Sequence, residues 1–175
     1  MSKTTFQESY TSAVKLASQK FIIVIGDTDK IIYDNIKKFL LLIKDQKNTK
    51  ESYIFDNTEC SYELPNEFID QKLINLSIKN FEKLLMPFTP TFIGNVIFNN
   101  YFLRKKLSIF ADIKTEWPHY LPYLCSLFDS ESAYYTEPII DPDHEPRVWS
   151  KYQDRLNSFD LIRVHSLALK KLSIN

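Results

Sequence analysis

The run Phe21-Ile22-Ile23-Val24-Ile25, stopped by Gly26, is the feature that most restricts what this chain can fold into. Consecutive apolar residues bounded by a turn signal suit a strand covered on both faces. Helical spacing flanks it on either side: Ala13, Val14 and Ala17 within Ser9 to Lys20, then Ile32, Ile36, Phe39, Leu40 and Ile43 within about Ile31 to Gln46, with Lys37, Lys38 and Lys44 outside. A strand between amphipathic helices predicts an α/β domain, with helices packed on a sheet.

Further elements follow by the same reasoning. A short strand is expected near Tyr53 to Phe55. Asn66 can cap a helix running to about Leu85, with Phe68, Leu73, Leu76, Ile78 and Phe81 along it, ending before Pro87. The segment Thr91 to Phe98 reads as a second strong strand. Trp117 to Phe128 reads as a helix with Pro118 in its first turn, although Pro122 can delay its start. Ala133 to Thr136 reads as a short strand and Leu156 to Leu172 as a closing helix, while Pro138, Pro142 and Pro146 mark a loop.

With 175 residues, 44% hydrophobic and 14% aromatic, the chain can build a core as one domain spanning 1–175. Its net charge of zero leaves no electrostatic footprint for nucleic acid. The apolar runs fall well short of the roughly 20 residues that span a bilayer, and the amino terminus has no signal-peptide pattern, so the chain reads as cytosolic. Cys60 and Cys125 lack metal-ligand spacing and read as reduced structural thiols. Only two glycines are present, Gly26 and Gly94, which excludes a glycine-rich phosphate loop and a dinucleotide fingerprint. Gly94, inside a β-rich segment, marks a bulge or the close approach of a ligand or another backbone.

Gly26 leads directly into Asp27-Thr28-Asp29, two carboxylates at the carboxyl end of a buried strand. Ligands of open α/β sheets gather at that end, and a hard divalent cation such as Mn²⁺ or Mg²⁺ takes one or two carboxylates plus substrate phosphates. The plain alternative is an acidic turn, with Asp29 capping the helix that follows.

The succession Ser12-Ala13-Val14, Lys20 to Asp29 and Asp34-Asn35-Ile36 resembles the middle of a family 2 glycosyltransferase. The resemblance implies a GT-A fold, here a partial, mixed sheet flanked by helices that corresponds to the carboxyl-terminal portion of the domain. It implies that Asp27 and Asp29 hold Mn²⁺ or Mg²⁺ against the diphosphate of a nucleotide sugar, Asp29 as the chief ligand. Thr91 to Phe98 resembles the strand beside the acceptor site, which makes Gly94 a substrate-site residue. Asp112 to His119 resembles the segment carrying the catalytic carboxylate, with Glu116 as general base and Asp112 as its substitute. The nearest subgroup is the bacterial transferases that build lipopolysaccharide or capsule side chains, the abequosyltransferase-like enzymes. A surface-polysaccharide or lipid-linked acceptor at the inner membrane face is implied in turn.

Each assignment has an ordinary counterpart. Glu116 in a first helical turn also complements the helix dipole. His119 can contact substrate or metal, or be a core histidine with an ordinary hydrogen bond. Trp117 is the expected wall of the acceptor site, whereas most large aromatics supply core area. In Asp141 to Arg147, Arg147 can pair with phosphate and His144 with a metal, or the segment can be a solvated loop.

Only 26 residues precede Asp27, so the strands that form the base pocket in the resembled enzymes are expected from a companion chain or a second copy. Without them the Phe21 strand has an open apolar edge, which predicts low solubility or obligate association. Two further readings stand beside sugar transfer: a non-catalytic remnant or interaction subunit, and a haloacid-dehalogenase-like phosphatase. The latter fits poorly, because Lys30-Ile31 follows Asp29 in place of Gly-Thr.

Overall fold

The computed structural model describes residues 5–26, 29–44, 46, 49–57, 64–77, 93–115, 117–141, 163, 166–167 and 170. Among these, α1 (Phe6–Leu16) leads into β1 (Phe21–Ile23), and β2 (Lys30–Ile31) into α2 (Tyr33–Lys44). There follow β3 (Ser52–Asn57), β4 (Leu73–Leu76), β5 (Val96–Asn99), α3 (Asn100–Ile109), α4 (Tyr120–Phe128) and β6 (Ser132–Asp141). The six strands form one mixed sheet in the order β1-β5-β3-β6. The far edge of β6 carries β4 along its first half and β2 at its end. Only β3 and β6 pair in parallel; the other ladders are antiparallel. This is the α/β class expected from the sequence.

Strand alternation sorts the apolar side chains into two cores, because successive residues point to opposite faces. Ile22, Ile54, Ile74, Leu76, Val96, Phe98 and Tyr134 face α1, α3 and α4. Tyr53, Phe55, Ile97, Ala133 and Tyr135 face α2, which buries Phe39 and Ile43 among them. Phe39 meets the Tyr53 ring edge-on at 5.1 Å and the Tyr135 ring at 5.2 Å, fixing α2 over the centre of the sheet.

Local signals set the helix ends. Thr5 and Glu8 form a capping box that starts α1 a turn earlier than the apolar spacing alone suggests. Its last carbonyls, Val14, Lys15 and Ala17, accept hydrogen bonds from Arg104 of α3. The Asn99 side chain accepts from the amides of Tyr101 and Phe102 and so starts α3 directly at the end of β5. Pro122 sits in the first turn of α4, where its missing N–H costs nothing.

Several expectations are corrected. Of the helix expected over Asn66 to Leu85, the first half is a single 3₁₀ turn, Asn66–Phe68, followed by β4, and Ile78 to Leu85 lie outside the described residues. Leu73 and Leu76 are spaced as on a helix, yet Ile74 and Leu76 enter one core while Leu73 packs against the other, as in a strand apolar on both faces. The Phe21 strand ends at Ile23, and the described part of the strand expected over Thr91 to Phe98 is a 3₁₀ turn at Ile93–Asn95 followed by β5 over Val96–Asn99, with Thr91 and Phe92 outside the described residues. The strand expected over Ala133 to Thr136 extends to Asp141 and includes Pro138, which had been assigned to a loop. The register explains this: Phe55 pairs with Tyr135, but Asn57 pairs with Ile140, so Pro138 lies in a bulge where no ladder N–H is required. Its carbonyl accepts from Asn35 Nδ2 at 2.8 Å. Of the closing helix, Arg163, Ser166, Leu167 and Lys170 are described, and all are helical.

At the amino end of the β3–β6 pair, three fully buried serines join the sheet to α4. Ser126 Oγ donates to the Tyr123 carbonyl at 2.8 Å, so its one hydroxyl proton is committed. Ser52 must then donate to Ser126, 2.6 Å away, and Ser132 to Ser52, 2.8 Å away. Ser126→Ala strands the Ser52 proton and is expected to cost about 1–3 kcal/mol in denaturant unfolding, more than Ser132→Ala, which removes only a donor to Ser52. A Ser126→Ala loss no greater than that of Ser132→Ala would show the chain is not directed this way.

Candidate functional site

Strand direction decides which residues can meet. β1, β3 and β6 run one way and β5 the other, so β1 ends where β5 begins. Gly26 lies three residues past the pair Ile23–Ile97, and Gly94 three residues before it. The two glycines of the chain therefore stand at the same end of neighbouring strands. The 3₁₀ turn holding Gly94 and Asn95 packs against β3 and β6 at this carboxyl end. Asp141, the last residue of β6, pairs with Lys30, the neighbour of Asp29.

The helices bring the 112–119 loop to the same end. α1 runs down to the start of β1, and α3 climbs from the end of β5 beside it. Gln7, in the first turn of α1, donates to the Ile113 carbonyl at 2.8 Å and accepts from the Thr115 amide at 3.0 Å. The loop after α3 is thereby tied to the top of α1. α4 descends from it and returns through residues 129–131 into β6. Asp112, Trp117 and His119 thus share the carboxyl end of the sheet with Asp29 and Gly94.

Asp29 is only 8% exposed, and its Oδ2 accepts the Gly26 amide at 3.0 Å. The carboxylate closes the turn on the backbone of residue 26. This explains the glycine by close approach: a methyl group there would overlap Asp29 Oδ2 and sit 3.0 Å from its Cγ. Asp29 is therefore not the simple helix cap of the plain alternative, since α2 begins only at Tyr33, after β2.

On the loop, Asp112 is exposed, whereas Thr115 is 8% and His119 1% exposed. The Thr115 hydroxyl accepts the Trp117 amide at 2.9 Å, setting the Trp117 ring 6.0 Å from that of His119 and partly against the core. Trp117 Nε1 is buried with no hydrogen-bond partner among the described residues. Glu116, Asp27, His144 and Arg147 lie outside the described residues.

Two residues of this end were not singled out from the sequence. Asn95 carries a buried amide oxygen with no hydrogen-bond partner among the described residues, an uncommon condition that costs free energy unless a donor is supplied. Its signal was its place directly after Gly94. Asp141 adds a second carboxylate beside the Asp29 turn, and it was hidden in an acidic loop until the β2–β6 register placed it.

No cluster of three or more His, Cys, Asp or Glu occurs among the described residues. A cation bound chiefly through substrate phosphates needs no such cage, so one or two carboxylates at this turn suit Mn²⁺ or Mg²⁺ held with a diphosphate.

The opposite end of the sheet differs in chemistry. Burial, Asp129 and Glu131 push the Glu51 carboxyl above the usual carboxylate range. Burial pushes the Cys125 thiol up to about 11, which makes it a poor nucleophile.

Gly26→Ala is expected to destabilise the fold by about 1–2 kcal/mol through loss of the Asp29 contact. In an Asp29→Ala background, where the obstructing carboxylate is gone, the same change should cost close to nothing. Equal costs in the two backgrounds would separate Gly26 from Asp29.

No family model, curated protein or solved structure matches the chain.

Proposed function

We propose that this chain is a glycosyltransferase of the GT-A type, or the diphosphate-binding part of one, acting on a nucleotide sugar. The observation that carries this reading is the gathering of the Gly26–Asp29 turn, the Gly94–Asn95 turn and the Asp112–His119 loop at the carboxyl end of β1, β3 and β6. Asp29, with Asp27 in the same turn, would hold Mn²⁺ or Mg²⁺. A cation held there would supply positive charge against the diphosphate of the leaving group.

The 112–119 loop supplies the acceptor side. A carboxylate there, Glu116 or the exposed Asp112, takes the proton of an acceptor hydroxyl. The oxygen then attacks the anomeric carbon while the bond from that carbon to the diphosphate breaks, releasing a nucleoside diphosphate. Trp117 offers an apolar face for the acceptor sugar. A polysaccharide or lipid-linked acceptor at the inner membrane face accords with the resembled subgroup. No helix among the described residues is long and apolar enough to cross a membrane. The second reading, an interaction subunit, draws on the open outer edge of β1, which pairs with no described strand besides β5.

Calorimetry with UDP, GDP and inorganic pyrophosphate, each with Mn²⁺, tests the proposal. Binding is expected for at least one nucleotide and, more weakly, for pyrophosphate. Asp29→Asn, which keeps an oxygen for the Gly26 amide but removes the charge, is expected to weaken it about tenfold or more, close to 1.4 kcal/mol. Absence of heat with all three ligands, or full binding by Asp29→Asn, would overturn the reading.

A further inference from the structure

β1 is the outer strand of the sheet, and its hydrogen-bonding groups can be assigned one by one. The Asn100 amide donates to the Lys20 carbonyl at 2.9 Å, which makes Lys20 and Asn100 a hydrogen-bonded pair. Antiparallel ladders alternate, so Ile22 and Phe98 form the next such pair, while Phe21–Asn99 and Ile23–Ile97 do not bond to each other. The Asn99 amide agrees, since it points the other way and donates to Glu51 of β3 at 2.8 Å. Phe21 and Ile23 therefore turn both N–H and C=O toward the outer edge. Among the described residues nothing pairs with that edge.

Natural sheets guard such edges with charges, prolines or bulges. Phe21 to Ile25 carries none of these. The outward groups at 21 and 23 are also self-complementary. A second copy, placed antiparallel about a twofold axis through Ile22, sets Phe21 against Ile23 of its mate and Ile23 against Phe21. All the outward groups of both strands are then satisfied by four hydrogen bonds. The same register puts Lys20 opposite Val24 of the mate, not opposite the other Lys20, so no like charges face each other across the axis. Phe21 and Ile23, both half-buried in the monomer, gain cross-strand apolar contact.

We propose that two copies of this chain associate through β1, joining their six-stranded sheets edge to edge. The short strand makes this a weak, reversible dimer rather than an obligate one. A twofold contact is closed, so assembly stops at two copies.

Hydrogen exchange and sedimentation across a dilution series test the proposal. With rising concentration the mass approaches twice that of the monomer, and the Phe21 and Ile23 amides exchange about tenfold or more slowly. The Ile22 amide, bonded to Phe98, stays protected throughout. Ile23→Pro removes only an outward N–H and leaves the β1–β5 bonds in place, so it is expected to give a folded monomer. Should that variant fail to fold, the exchange measurement on the unaltered chain still decides. A monomer at every concentration, a dimer whose Phe21 and Ile23 amides exchange freely, or open-ended polymers would each overturn the inference.

Discussion

The parallel ladder between β3 and β6 is the contact on which the rest of this structure depends. Tyr53, Ile54 and Phe55 on one strand and Ala133, Tyr134 and Tyr135 on the other are all 3% exposed or less. Both strands are covered on both faces, as parallel strands require. Every other element takes its position from this pair. β5 and then β1 extend the sheet from β3, while β4 and β2 line the far side of β6. α2 closes one face, and α1, α3 and α4 close the other.

The same ladder gives the sheet two unlike ends. At the amino end, the serines 52, 126 and 132 consume one another's hydrogen-bonding capacity, and the Glu51 carboxyl nearby is disfavoured as an anion by burial and by the charges of Asp129 and Glu131. That end is closed chemistry, suited to holding α4 in place. At the carboxyl end, the β3–β6 register shifts past Phe55, β6 bends around Pro138, and β2 brings Lys30 against Asp141. Glu137 in this bulge is bonded to Lys38 of α2 and to Lys72 beside β4, which holds its carboxyl below the usual range and ties both elements to the bend. The turns that remain at this end carry the glycines, Asp29 and an amide oxygen without a donor. Polarity of the sheet, more than any single motif, favours this end for ligand binding.

Much of this was legible in the sequence where a side chain reports on its own backbone. The Phe21 run, the amphipathic stripes of α1 and α2, and the pairing of a glycine with an acidic turn all reflect local requirements. Gly26 is a partial case: its scarcity and its acidic neighbours mark the turn, but that it lets the Asp29 carboxylate reach the backbone is visible only in the structure. Long-range partners were not legible. β4 was mistaken for part of a helix because Leu73 and Leu76 fit either period, and only the free edge of β6 decides between them. Pro138 was assigned to a loop because a bulge in β6 cannot be read from β6 alone. Asn95 and Asp141 escaped notice for a related reason: each matters through the strand beside it. The carboxylate at 29 is marked by its place after the Phe21 run and the one at 112 by resemblance, and the helix directions, set by Gln7 and Arg104, are what bring them to one end.

Paramagnetic broadening by Mn²⁺ in the presence of UDP or GDP would locate the bound ion on the sheet, because its strength falls steeply with distance from the ion. The strongest loss of amide signals is expected at Gly26, Asp29, Gly94, Asn95 and the 113–119 loop, and the weakest at Ser52, Ser126 and Ser132. Broadening centred on the serine end of the sheet, or spread evenly over exposed acids with no dependence on nucleotide, would contradict a site at the carboxyl end.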